Sequence, residues 1–191
     1  MHVRVEPLHL RHGRLLARGL SAVVGVKSHH KSAHAIQSRL YGFSRETSDL
    51  DVLLIAPREQ RTPLLEAGIQ GGALHKKYKV YLDYVSVAKV PEDYEERLTE
   101  MFAGTFKHLR LCALDPYDLA LSKLERNIQR DRDDVRHLAR SIPLDLQILK
   151  ERYEKELRWQ LGNLQWEDLT LQLWMEMIEE DRTRSSRQNK P

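Results

Sequence analysis

Cysteine is nearly absent: Cys112 is the one thiol in 191 residues, so no internal disulfide can form. A reducing cytosol is the natural compartment for such a chain, and we expect it to be cytoplasmic. Long apolar runs are missing as well. None approaches the roughly 20 residues that a membrane-crossing helix needs, so no membrane partner is expected. A strong charge of one sign is also lacking. The formal net charge is +3 with basic and acidic residues interspersed, which is too little to argue for nucleic acid by itself. There is no internal repeat.

What is present fits a soluble, rather polar globular protein, 41% apolar and 31% charged. Its length suits one domain with a helical appendage and is enough to bury a core without staples. One segment imitates a signal peptide: Arg11, Arg14 and Arg18, then the apolar Gly19 to Val26, then the small-x-small Ala33-His34-Ala35. The apolar run is short and is followed by Lys27, His29, His30 and Lys31, so it reads as the end of a strand or helix, not a targeting sequence.

The first third mixes helix and strand signals. Leu15, Leu16 and Leu20 suggest a short helix, and Ala22 to Val26 a strand. Ser32 caps a helix to Tyr41 that turns Ala33, Ile36 and Leu40 inward. Gly42 to Ser48 reads as a turn. Asp49 to Ala56 is an apolar run ended by Pro57, a buried strand by its length and Val/Ile content. A half-polar, β-prone strand follows over Tyr78 to Val87, nearer an edge, and a third over His108 to Ala113. Beyond Ala113 everything is helical. Asp115-Pro116-Tyr117-Asp118 supplies a cap, a first-turn proline and a first-turn acid, and Tyr117, Leu121, Leu124 and Ile128 then share a face. Further helices start near Asp131, run from Leu146 to Leu161, and cover about Trp166 to Glu180. We therefore expect an α/β (α+β) domain over residues 1–140, a small mixed sheet flanked by helices. A C-terminal helical segment over 141–181 would pack on it, and residues 182–191, without an apolar anchor, would be a disordered tail.

The sharpest chemical feature is Ser48-Asp49-Leu50-Asp51-Val52. Strand side chains alternate, so Asp49 and Asp51 point the same way from the start of a buried strand. Two carboxylates on one face beside a core repel each other and are costly to desolvate. A divalent cation resolves both problems; Mg²⁺ (or Mn²⁺) takes carboxylate and water oxygens and leaves positions for substrate phosphates. Two such ions would clamp the attacking and leaving oxygens of a phosphoryl displacement. Asp83, in the next strand, either completes a three-carboxylate site or is an outward-facing acid on an edge strand. Ser32 either lies at a phosphate-binding helix start or is an ordinary cap. Arg45 and Thr47 either touch phosphate or ribose or are turn residues. Lys123, Arg126 and Arg130 fall three and four apart, one helical stripe that is either a phosphate clamp or a solvated face paired with Glu125 or Asp134.

Gly42 to Leu53 resembles the R-x-T-x-D-h-D-h segment of the minimal nucleotidyltransferase-like proteins of prokaryotes. Leu111 to Leu138, with Lys123 and then Arg130-Asp131-x-x-Asp134, resembles their next block. The nucleotidyltransferase toxins of type IV toxin–antitoxin pairs share both. The resemblance covers roughly residues 32 to 140. It implies the nucleotidyltransferase fold, with Mg²⁺ on the aspartate pair, nucleotide phosphate on Lys123 and the following acid, Asp131, completing the pocket. Such a protein would move a nucleoside monophosphate from an NTP to a hydroxyl on RNA (tRNA included), protein or a small molecule. One departure stands out. The family places glycine before the serine of the phosphate helix, to let backbone amides reach phosphate; here the sequence reads Lys31-Ser32. A second reading follows from it: a catalytically degenerate binding module, one half of a toxin–antitoxin pair with a cognate antitoxin-like partner.

Other signals rank lower. His29, His30 and His34 have no nearby cysteine and no second cluster, so surface histidines are expected in place of a zinc site. Trp159, Trp166 and Trp174 are expected in helix–helix packing. Cys112 is expected to be inert.

Overall fold

The structure, a computed structural model, describes residues 22–26, 49–85 and 89–188. The expected helix over 32–41, the turn over 42–48, and Ser32, Arg45, Thr47, His29, His30 and His34 lie outside the described residues.

The chain divides into two compact units, Met1–Ala88 with Arg97–Leu114, and Lys89–Glu96 with Asp115–Pro191. The expected boundary at 140/141 differs from this division, because the helices beginning at Asp115 pack with the later helices: Asp115 and Asp118 bind Arg152.

The first unit is built on a five-stranded mixed sheet. Its strands are β1 (Ala22–Val26), β2 (Asp49–Ala56), β3 (Tyr81–Tyr84), β4 (Thr99–Met101) and β5 (Leu109–Ala113), in the order β3-β2-β1-β5-β4. β3 runs parallel to β2 and β5 parallel to β1; the β1–β2 and β4–β5 pairs are antiparallel. The strand expected from the Asp49 run holds its predicted span. The one expected from 78 is shorter at its start, because Tyr78 ends a helix.

Two helices lie between β2 and β3, α1 (Arg61–Ala67) and α2 (Ala73–Tyr78). Both are too short to show a helical period in the sequence. Gly68 ends α1, its N–H donating to the Leu64 carbonyl at 3.0 Å. A Cβ there would come within 2.5 Å of Leu82 Cγ, so only glycine lets the helix end lie against β3. Lys79 ends α2 in the left-handed region at φ 60°, where glycine is the usual residue and a side chain costs about 1 kcal/mol. Val52, Ile55, Leu64, Met101, Leu109, Leu111 and Ala113 form the core, with Leu50, Leu65, Leu82 and Tyr84 packed against it.

The second unit is helical: α3 (Pro116–Leu121), α4 (Gln129–Ser141), α5 (Leu146–Arg152) and α6 (Leu164–Gln188). Asp115 caps α3 as expected, accepting the Tyr117 and Asp118 N–H groups at 3.0 and 3.1 Å. The helix stops at Leu121, short of the expected Ile128. A turn follows in which Asn127 takes φ 41°, a conformation asparagine tolerates better than most. α5 continues through a π turn (Tyr153–Leu157) and a 3₁₀ turn to Gln160. α6 runs on to Gln188, so residues 182–188 are helical and not a disordered tail. Asp181 is gripped by Arg136 at 3.2 Å and Arg140 at 2.8 Å, and Arg182 donates to the Leu144 carbonyl. These polar anchors replace the apolar one the sequence lacks. No helix among the described residues is long and apolar enough to cross a membrane.

Candidate functional site

In the first unit the carboxylates are arranged by the β2–β3 ladder. Asp51 and Asp83 are direct register partners, and Asp49 stands two positions upstream on β2 beside Tyr81. Register partners on parallel strands share a face, with backbones about 4.8 Å apart. Asp51 is 4% exposed, whereas Asp83 is open to solvent on the edge strand. The pair thus spans the margin of the sheet, one acid inside and one outside. Edge position and exposure are the features of the plain reading of Asp83; its registry with Asp51 is the feature the metal reading needs.

Could these residues hold a divalent cation? The donor set is all carboxylate oxygen, which suits Mg²⁺ and does not suit thiophilic or imidazole-seeking metals. Among the described residues no three His, Cys, Asp or Glu side chains come together as a ligand cluster. The ladder thus supplies the Asp51–Asp83 register pair, with position 49 two residues upstream on β2.

The opposite face of the same strands carries a contact the sequence did not disclose. The Arg61 guanidinium lies over the Tyr84 ring, 4.8 Å from its centroid, with its Nε buried and without a hydrogen-bond partner among the described residues.

In the second unit Lys123, Arg126 and Arg130 do not form a helical stripe. The first two lie in the turn after α3 and the third in the first turn of α4. Lys123 is nearly sealed from solvent and its Nζ pairs with Asp134 at 3.1 Å, so the expected pairing with Asp134 is realised across two elements. Arg126 grips Asp131 in a fork, Nε–H donating at 2.8 Å and the second N–H to the other oxygen at 2.5 Å. Asp131 is fully buried and also accepts the Ile128 N–H at 3.1 Å, which closes the start of α4. Arg130 is half-buried. Asp131 is therefore a hydrogen-bonded anchor at the helix N-terminus, tied to Arg126 and to the Ile128 N–H.

Two further networks were not read from the sequence. Arg152 donates to Asp115 at 2.6 Å and to the fully buried Asp118 at 3.0 Å, while stacking on Tyr117 at 4.8 Å. Asp118 had shown itself only as a first-turn acid. Asp168 accepts the Tyr153 hydroxyl at 2.6 Å and two Arg158 N–H groups at 2.8 Å. The Arg158 bond foremost, then the Tyr153 bond, holds the Asp168 carboxyl down at about 2, and burial pushes the Tyr153 hydroxyl well up. Burial likewise raises the Cys112 thiol, consistent with an inert side chain. The tryptophans divide. Trp174 is 1% exposed and donates to Asn127 Oδ1 at 3.1 Å, as helix packing predicts, but Trp166 and Trp159 are 53% and 65% exposed, so these two are not packed as expected.

A family model described as a nucleotidyltransferase of unknown function (DUF6036) matches residues 32–182. No curated protein and no solved structure matches the chain.

Proposed function

The chain belongs to that nucleotidyltransferase family, and from this membership we propose that it transfers a nucleoside monophosphate from an NTP to a hydroxyl on RNA, protein or a small molecule, in a Mg²⁺-dependent reaction. The observation that carries the proposal is the registry of Asp51 with Asp83, two positions along from Asp49. Asp49 and Asp51 would hold Mg²⁺ (or Mn²⁺), and Asp83 would complete the set. When bound, the ion would neutralise charge on the triphosphate and lower the pKa of an acceptor hydroxyl. The protein's own contribution is positioning. Asp51 is buried at the margin of the core, and the exposed Asp83 would accept the acceptor's proton. Lys123, Arg126 and Arg130, with Asp131 as the anchor of Arg126, are assigned to the triphosphate, and Ser32, Arg45 and Thr47 to phosphate and ribose. Such chemistry rests mainly on orientation and electrostatics.

One observation favours a second reading, a degenerate binding module that is one half of a toxin–antitoxin pair: Lys123 is already committed to Asp134 and almost sealed from solvent. Ligand-induced stabilisation separates the two. A ligand that binds the folded state raises its melting temperature by mass action, by about 2.7 kcal/mol at a hundredfold excess over Kd. The enzyme reading predicts a rise with Mg²⁺ plus at least one NTP in the wild type, and none in Asp51→Asn. No rise with any NTP contradicts it.

A further inference from the structure

The segment between α1 and β3 carries a concentrated positive run, His75-Lys76-Lys77-Tyr78-Lys79. Lys76, Lys77 and Lys79 are exposed, and no carboxylate pairs with any of them among the described residues. By contrast, Lys150 and Lys155, exposed lysines of the second unit, pair with Glu154 and Glu151. The run is also held in place. Lys77 lies 5.0 Å over the Tyr78 ring. His75 Nδ1 accepts the Gly71 N–H at 2.8 Å, which puts the proton on Nε2 and makes that atom a donor. The His75 ring meets Tyr81 edge-on at 5.1 Å. Lys79 keeps a left-handed backbone where glycine would be unstrained.

Position gives the run its meaning. Tyr81 is the register partner of Asp49, and Asp83 that of Asp51. Lys79 therefore stands two residues before the strand position beside Asp49, off the end of the sheet at which the carboxylate strand begins. At about 3.3 Å per residue, Lys79 lies roughly 13 Å along the chain from Asp83, within the length of a few nucleotides.

We propose that the His75–Lys79 run is the docking surface for the phosphates of a single-stranded RNA acceptor, presenting its reactive hydroxyl to the Asp51–Asp83 edge. This rests on the nucleotidyltransferase reading above and selects among its acceptors. Lysines that pair with no carboxylate among the described residues neutralise phosphates at no cost of broken ion pairs. Tyr78 and Tyr81 lie among them, as aromatics do on surfaces that bind single strands. A backbone-reading surface of this kind holds the strand without dictating its sequence.

The test measures RNA binding apart from catalysis. The probe is a fluorescein-labelled 20-nucleotide single-stranded RNA of mixed sequence, titrated with the full chain by anisotropy at several salt concentrations, without NTP. Each phosphate contact contributes about −0.7 to the slope of log K against log salt for a single strand. The triple variant Lys76→Gln, Lys77→Gln, Lys79→Gln therefore loses about 2 from the slope, so between 50 and 200 mM salt the wild type loses about 16-fold more affinity than the variant. A charge-matched control, Lys150→Gln, Lys155→Gln, Arg184→Gln, keeps the wild-type slope. Equal slopes for wild type and the first variant, or an equal loss in the control, overturn the proposal. Displacement of the RNA by poly-glutamate at equal charge concentration overturns it too, in favour of an acidic protein. The two readings fail separately: normal binding with no nucleotidyl transfer refutes the enzyme, whereas transfer with no binding by the run refutes the docking surface alone.

Discussion

Replacing Arg152 with methionine keeps most of its apolar stem and removes the guanidinium that faces two carboxylates. Asp115 is 18% exposed and still caps α3 through its N–H bonds, so it recovers part of its solvation. Asp118 is fully buried and cannot recover solvation from water. Removing one partner of a buried ion pair costs about 3–5 kcal/mol, because the remaining charge is left in a poor solvent. Taking about 3 kcal/mol, the urea midpoint falls by roughly 1.5 M at a slope of about 2 kcal/mol/M. Tryptophan fluorescence is the right probe: Trp159, Trp166 and Trp174 all lie in the second unit, so the signal follows the unit that holds the ion pair. The mechanism makes a sharper claim about the double variant. In the Arg152→Met background, Asp118→Asn removes the stranded charge and recovers about 2 kcal/mol, although Asp118→Asn alone is destabilising. A loss below about 1 kcal/mol in Arg152→Met, or no recovery in the double variant, refutes the reasoning.

Asn127→Ala removes the acceptor of the Trp174 indole and the donor to Thr170, and strains a left-handed backbone; we expect a loss of about 2 kcal/mol, with Asn127→Gly losing less, by the same fluorescence assay. Gly68→Ala drives a Cβ into Leu82 and lowers the thermal midpoint by the equivalent of about 1–3 kcal/mol in far-UV circular dichroism; an unchanged midpoint shows that the α1–β3 approach is looser than described. The Asp168 carboxyl sits at about 2 against an ordinary 3.8, so the stability it contributes is present above about pH 4 and is lost as pH falls towards 2. Since that side chain is 42% exposed, the contribution is at most about 1 kcal/mol. The stability gap between wild type and Asp168→Asn, measured by urea titration from pH 7 downwards, should therefore close on acidification; a gap independent of pH contradicts this.

The sequence disclosed what rests on local pattern. The Asp49–Ala56 strand is an apolar run closed by proline, and the Asp115 cap is a local bond between neighbours, so both stand as read. It failed where a longer-range balance decides. Tyr78 is β-prone, yet Lys79 accepts a left-handed turn and ends a helix there. Leu124 and Ile128 continue the face of α3 by period, but Asn127 is taken into a turn by Trp174 and Thr170, some 45 residues on in the chain. The residues beyond Asp181 carry no apolar anchor, and Arg136 and Arg140, two helices away, supply a polar one. At the candidate site, the sequence left the partnership of Asp83 with the β2 aspartates as one of two alternatives, because register between strands is set by side chains distant in sequence. The burial of Lys123 against Asp134 was open for the same reason.

The central claim is nucleotidyl transfer by the carboxylates of β2 and β3. Its most direct test is label transfer: the full chain, Mg²⁺, each α-labelled NTP in turn, and cellular RNA and protein as acceptors, beside the Asp49→Ala, Asp51→Ala variant with its folding checked by circular dichroism. The account predicts label on an acceptor with the wild type and none with the variant. Label that persists in the folded variant, or that no NTP yields with the wild type, contradicts it.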